Sequence, residues 1–506
     1  MIAREPIRDV VIAGGGTAGW MAAAVCARYL DDGQRRITLV ESDAIATIGV
    51  GEATIPPIQN FNRLLGIDEG AFLAATGGTI KLGIEFVDWS AAGDRYFHPF
   101  GSAGRDFEGV GFHHVWLKLR DRPGIGAYAD YAMAAVAARH GRFAPPVADP
   151  RSPLSGLAYA YHFDAGRYAA FLRTRAEADG ATRIEGRIAT VERDGETGHL
   201  TALLLDDGRR VAGDLFIDCT GFRSLLLGGA MGVPFLDWSH WLPCDRAVTV
   251  PGEPLDPLPP FTRATARAAG WQWRIPLAHR TGNGLVYAGA WQDDDAAAAA
   301  LLANLATPPT DTPRFLRFTA GRRARAWEGN VVALGLAAGF LEPLESTSIH
   351  LVQDGLSKLL ALFPDRSLTA VERDTYNGFF ASAYDRVRDF LILHYHATTH
   401  ADSPFWNHVR TMEIPDSLAH KLALFREKGR VFRYDDELFG IPNWVAVLLG
   451  QGIVPAGYDP VVDALDADRL ADALRTLRDT VARAGQAMPT HQRWLAERIS
   501  RPLSVR

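Results

Sequence analysis

Gly14, Gly16 and Gly19 stand at the spacing GxGxxG, and an acidic residue, Glu41, follows about 20 positions later. Glycines at that spacing let a turn tighten and let backbone approach a pyrophosphate. The charge of that pyrophosphate is met by the free N–H groups of the helix that follows, where Thr17 and Ala18 fall. An acid closing the next strand can take ribose hydroxyls. The motif therefore predicts a dinucleotide site, and by itself it leaves FAD and NAD(P) both open. His394, His396 and His400 form a second group that could do chemistry, with His396 and His400 four apart on an expected helix. They have no carboxylate or cysteine partner at ligand spacing, so no metal is expected. Cys26, Cys219 and Cys244 are odd in number and far apart, which fits neither a disulfide framework nor a zinc cluster.

The glycines need a strand before them and a helix after them, and the sequence supplies both. Val10 to Ala13 is apolar, an alanine-rich helix runs to about Leu30, and Ile37 to Val40 forms the next strand. Further strands are expected at Ile184 to Val191, Leu200 to Leu205 and Arg210 to Ile217, the last two joined through Asp206-Asp207-Gly208. Val331 to Leu334 adds another strand, and a helical pattern resumes near Ser346 and continues to about Phe363. Dinucleotide-type elements thus recur near residues 14, 218 and 335, so the cofactor core is expected to be discontinuous. It spans residues 1–365 with a substrate-facing layer inserted, and residues 366–506 form a helical C-terminal region. Pro251 to Pro260 reads as a connector, and the chain from Leu465 onward as a helix on the surface.

The bulk composition suits a large core: 506 residues, 47% hydrophobic and 22% charged, with a formal net charge of −6. Acidic and basic residues are mixed along the chain, so nothing recruits nucleic acid. The N-terminus lacks a secretory hydrophobic region, and the greasiest run, Ala296 to Ala306, is too short to cross a bilayer. A cytoplasmic protein with no membrane association is expected.

Two later segments narrow the cofactor. Asp218-Cys219-Thr220-Gly221 and Leu334-Gly335-Leu336-Ala337-Ala338-Gly339 each follow an apolar strand and resemble the later FAD segments of flavoprotein monooxygenases. Trp271-Gln272-Trp273-Arg274-Ile275-Pro276 matches WxWxIP, a signature of the flavin-dependent halogenases of the tryptophan-halogenase type. With it stand Gly49-Val50-Gly51-Glu52-Ala53-Thr54, Ile80-Lys81-Leu82-Gly83, His98-Pro99-Phe100-Gly101 and Pro343-Leu344-Glu345-Ser346-Thr347. The resemblance runs over most of the chain. It implies an α/β fold, an FAD-binding Rossmann-like core of the flavoprotein monooxygenase type with a mostly helical C-terminal substrate region. It also adds Val50, Ile188, Asp218, Leu336 and Ile349 to the expected cofactor contacts.

The implied chemistry has two stages. Reduced FAD activates dioxygen, halide captures the activated oxygen as hypohalous acid, and the acid crosses a short tunnel. Lys81 would then hold it, by hydrogen bonding or as a haloamine, beside one carbon of an aromatic ring such as indole or tryptophan. Glu345 would accept the ring proton, with Glu342 as the neighbouring alternative. The amides of Thr347 and Ser348 correspond to the family's halide site for chloride or bromide. Trp271 and Trp273 alternate as on a strand, and the resemblance makes them a wall between flavin and substrate, with His98 and Phe100 lining the pocket beyond. Trp406, Trp444 and Tyr458 are further aromatic candidates for substrate contact. No second GxGxxG is present, so reduced FAD is expected from a separate NADH-dependent flavin reductase. The rival activity is aromatic hydroxylation on the same flavin chemistry, because a shared fold does not settle the reaction.

Overall fold

The computed structural model describes residues 5–44 and 51–500. Val50 lies outside the described residues. The first strand, β1 (Asp9–Ala13), and the helix α1 (Thr17–Leu30) bracket the glycines, and β2 (Arg36–Glu41) follows. Val10 to Ala13 of β1 and Ile37, Leu39 and Val40 of β2 are apolar and buried because the sheet they join is covered on both faces. The sheet has six strands, ordered Trp327–Glu328, Val331–Ala333, Leu215–Asp218, β1, β2 and Thr182–Glu185. All pair in parallel except the edge strand Trp327–Glu328. The alanines of α1 allow it to lie close against the sheet and the helix Ala165–Ala178; Ala22, Ala23 and Ala24 are wholly buried.

A second sheet has seven strands. Its order is Arg314–Arg317, Arg246–Gly252, Thr281–Tyr287, Gly270–Pro276, Thr262–Arg267, Gly83–Val87 and Arg95–Pro99. It carries Trp271, Trp273 and His98, and a small sheet of Gly51–Ala53, Ala160–Asp164 and Thr79–Lys81 carries Lys81. From Ala370 onward the regular structure is helical. The long helix Ala370–His396 and the helix Ile441–Gly450 belong to the same apolar cluster as the tryptophan strand. Among the described residues no helix is long and apolar enough to cross a membrane.

Several expected elements break where the chain turns. Ile184 to Val191 is two strands, Thr182–Glu185 and Ile188–Arg193, in different sheets, with Gly186 at the corner. Arg210 to Ile217 also divides, because Asp214 takes the backbone N–H groups of Arg8 and Asp9 and turns the chain into the parallel sheet. Pro251 belongs to a strand rather than a connector: the neighbour Arg314–Arg317 stops pairing at Thr249, so no donor is needed on that side. Ser346 does not begin a helix; its φ of 59° is left-handed, and the helix runs Ser348–Ala361. The C-terminal segment is two helices, Ala467–Ala487 and His491–Ile499, and the second is anchored inward, since His491 is wholly buried.

Candidate active site

A cavity of about 460 Å³ opens at the glycine turn and extends across the layer between the two large sheets. Gly14, Gly16, Thr17, Ala18, Glu41, Ile188, Leu336 and Ile349 line it, as do Ser348, Trp271 and Trp273. Gly14 has φ 105°, and a Cβ there would lie 2.3 Å from the Cys219 carbonyl oxygen, so the turn admits glycine alone. Gly16, the residue before α1, has open space around it and no side chain caps the helix. Its first N–H groups, at Thr17 and Ala18, line the cavity with no side-chain cap among the described residues. Gly19 and Asp218 do not line the cavity. A Cβ on Gly19 would strike the Gly14 carbonyl, so this glycine sets helix-to-strand packing. Asp218 is buried and accepts from the backbone of Thr220, Leu226 and Leu227, which shapes the loop whose Cys219, Thr220 and Gly221 line the cavity. Glu41 is already paired with Arg183.

The tryptophans are both buried, on one face of their strand, with ring centroids 6.0 Å apart. Trp271 Nε1–H donates to Glu342 Oε2 at 2.9 Å, and the Tyr395 hydroxyl donates to the same oxygen. Burial pushes the Glu342 carboxyl up to about 7. Glu342 thus fixes the Trp271 indole.

Lys81 and Glu345 are both wholly buried, outside the cavity lining, and Ser346 connects them to it. Lys81 Nζ donates to Ser346 Oγ at 2.7 Å and lies 5.2 Å from the centre of the Phe100 ring. Burial takes the amine down to about 7, against the opposing pull of Glu345. Burial would raise the Glu345 carboxyl as well, but His98 and His394 outweigh it and hold the group down at about 2. His98 Nδ1 lies 2.9 and 3.0 Å from its two oxygens, and His394 Nε2 lies 2.8 Å from Oε1. Phe390, Phe439 and Trp444 pack around this cluster, with Phe390 and Phe439 stacked at 3.9 Å. Trp406 and Tyr458 do not join it: the Trp406 indole donates to the Arg267 carbonyl and the Tyr458 hydroxyl to Asp463.

Two buried histidines hold the strand that carries Lys81. His491 accepts from Ile80 N and sits against the Leu258 carbonyl, both at 3.1 Å. His162 bridges Thr79 and Thr262 at 2.9 Å on each side, and burial beside Lys81 holds it neutral, far below the usual histidine range. Neither was visible in the sequence, because a lone histidine 83 or 411 residues from the strand it holds carries no local pattern. The histidine trio is likewise divided: the helix ends at His396, so His400 is not on it, and His400 bonds the Asp88 carbonyl and Asp402.

Thr347 and Ser348 open the helix Ser348–Ala361, where no side chain caps the N-terminus. Thr347 Oγ1 is buried without a hydrogen-bond partner among the described residues.

A layered α/β flavoprotein architecture with a buried lysine–glutamate cluster beyond its dinucleotide cavity is the class that fold and site define. Residues 9–467 match the tryptophan halogenase family model. The chain is 33% identical to tryptophan 6-halogenase SttH of Streptomyces toxytricini, over 98% of this chain and 99% of that one. Its structure superposes with a TM-score of 0.94 on Xcc4156, a flavin-dependent halogenase from Xanthomonas campestris, at 49% identity over 98% and 99% of the two chains. BrvH, a flavin-dependent halogenase from Brevundimonas sp. BAL3, also gives 0.94, at 47% identity over 97% and 99%. The chain belongs to the tryptophan halogenase family, a family of flavin-dependent enzymes.

Proposed function

We propose that this enzyme uses reduced FAD, dioxygen and chloride or bromide to halogenate an electron-rich aromatic such as indole or tryptophan. The observation that carries the reading is the placement of Ser346, which lines the cavity and also receives the hydrogen bond of a fully buried Lys81. An oxidant made in the cavity would reach the lysine past Ser346, behind the lining to which Trp271 and Trp273 also belong. A hydroxylase, whose substrate must touch the flavin, has no use for such a separation.

The residues present fit FAD. The uncapped start of α1, the open space at Gly16 and the closeness of Gly14 to the Cys219 carbonyl form a cradle for a pyrophosphate. Thr17 and Ala18 would supply amides to it, with Glu41, Ile188, Leu336 and Ile349 along the rest of the cofactor. When bound, FAD supplies the oxidising chemistry. The chain's own groups do the rest. Thr347 Oγ1 and the free amides of the following helix suit a halide ion, which needs donors and tolerates burial at a helix N-terminus. Lys81, held near neutrality, can donate a hydrogen bond to hypohalous acid or attack its halogen as an amine. Glu345, ionised and buried, can receive the ring proton. The work divides between a cofactor and halogenation core in residues 1–365 and a helical region in 366–506 that closes the aromatic chamber through Phe390, Phe439 and Trp444.

The test is mass spectrometry of products with a separate flavin reductase, NADH, FAD, air, halide, catalase, and indole or tryptophan in turn. A halogen isotope pattern that requires both the protein and the halide supports the reading. A hydroxylated product instead identifies an aromatic monooxygenase.

A further inference from the structure

Trp271 and Trp273 line the cavity, and their aromatic contacts continue beyond it. The Trp273 ring centroid lies 6.0 Å from that of Trp271, Trp271 lies 6.5 Å from Trp89, and Trp89 lies 5.5 Å from Trp406. Phe405 then bridges Trp406 to Trp291, at 5.2 and 5.6 Å. Each separation is that of rings in direct contact. Four of these five indoles are buried, whereas Trp291 is 38% exposed. Five of the twelve tryptophans thus join the cavity lining to the protein surface.

Packing accounts for the burial of such rings, but not for the charges around them. Tryptophan is among the side chains most easily oxidised by one electron, and an electron moves between rings at a rate that falls steeply with their separation. A ring that has lost an electron is positive, so a cation beside it opposes the loss and a negative atom favours it. Among the described residues no ammonium or guanidinium lies over any of the five rings, whereas Trp20, Trp238, Trp241 and Trp444 each carry one. The buried N–H groups point at oxygen. Trp271 Nε1–H donates to Glu342 Oε2 at 2.9 Å, Trp89 to the Ala264 carbonyl at 3.2 Å and Trp406 to the Arg267 carbonyl at 2.7 Å.

We propose that Trp273, Trp271, Trp89, Trp406 and Trp291 form an electron relay from the cavity to the surface, through which an electron taken from the cavity-lining indoles by an oxidising flavin is replaced from a thiol in solution. In one transfer Trp273 or Trp271 gives up an electron, the positive charge passes through Trp89 and Trp406 to Trp291, and the thiol surrenders an electron and its proton there. Two transfers join two thiols as a disulfide and deliver two electrons to the cavity, with two protons taken up from solvent. The indoles end unchanged, so the relay spares the cavity lining from lasting oxidation. It rests on FAD occupying the cavity, and not on the halogenation reading.

The test is photoreduction of the FAD-loaded protein, freed of excess flavin and of oxygen, with glutathione in solution and blue light to make the flavin a one-electron oxidant. Bleaching of the flavin absorbance gives the rate. Its glutathione-dependent part should be lost in Trp89→Phe, which removes the link next to the cavity pair, and in Trp291→Phe, which removes the exit. After a flash, the absorbance of oxidised indole should decay faster as glutathione rises in the wild type, and independently of glutathione in Trp291→Phe. A packing defect would not produce that difference. If Trp89→Phe fails to fold, Trp291→Phe, at an exposed site, decides alone. A glutathione-dependent rate kept by either variant that still holds FAD overturns the relay. A wild-type protein that retains no FAD overturns the cofactor reading, and the relay with it.

Discussion

Replacing Lys81 by Met should abolish halogenation and at the same time stabilise the fold. The amine is wholly buried and its pKa falls from 10.5 to about 7, with burial as the leading cause. The sign follows from proton binding. The unfolded chain keeps the lysine proton up to about pH 10, while the folded protein releases it near 7, so in between the unfolded state binds more protons and stability rises with pH. The burial penalty is largest below pH 7 and fades toward pH 10. At about 1.4 kcal/mol per pKa unit, it amounts to about 4 kcal/mol near pH 6.5 and about 1 kcal/mol near pH 9.5. Met fills the same slot without charge and forfeits one hydrogen bond to Ser346, worth about 1 kcal/mol. Urea denaturation of both proteins at the two pH values measures the difference, and other titrating groups cancel in the comparison. The stability advantage of Lys81→Met should shrink by about 3 kcal/mol between the two. An advantage that stays constant with pH, or a variant less stable than wild type at pH 6.5, would refute the burial argument.

Glu345→Gln keeps the shape but cannot accept a proton, and should lower kcat by about 100-fold or more with FAD binding unchanged; full activity would remove Glu345 from proton transfer. Thr347→Val removes a buried hydroxyl that has no hydrogen-bond partner among the described residues, and should raise the KM for halide about five- to tenfold with little change in the KM for the aromatic substrate. Gly14→Ala would place a Cβ on the Cys219 carbonyl at a positive φ, so FAD binding, followed by the flavin fluorescence retained after gel filtration, should be lost. Wild-type FAD retention in that variant would move the cofactor away from the glycine turn.

The parallel sheet and its glycine turn were legible because their signals are local: β1, the glycines and α1 are consecutive, and the apolar runs of buried parallel strands are continuous. Lys81 and Glu345 were named from short family segments, not from periodicity, and the structure brings the two together across 264 positions through Ser346, which bonds Lys81 from 265 residues away. What could not be read is how those groups are held. Ser346 looked like the start of a helix, whereas its left-handed backbone ends one short turn and aims its hydroxyl at Lys81 before the helix begins. Glu342 looked like a spare acid, and it anchors the Trp271 indole. His98 looked like pocket lining, and its tautomer is set by Asn443, 345 residues away. Each of these depends on a long-range hydrogen bond that leaves no periodic trace.

The polar groups of the cluster lie behind the cavity lining, one hydrogen bond from it at Ser346. A lysine and a carboxylate buried side by side would ordinarily collapse into an ion pair, because each is the nearest relief for the other's lost hydration. Lys81 instead bonds a serine, and Glu345 bonds the His98 imidazole, with His394 Nε2 2.8 Å from Oε1. Keeping the two apart needs a separate donor set for the carboxylate and a rigid strand beneath the lysine, and the histidines divide that work. His98 bonds the carboxylate, while His162 and His491 pin the strand Thr79–Lys81 from either side. The amine is thereby left near neutrality, with a hydroxyl as its only hydrogen-bonded protein partner among the described residues, which is the state in which it can bind or attack an electrophilic halogen.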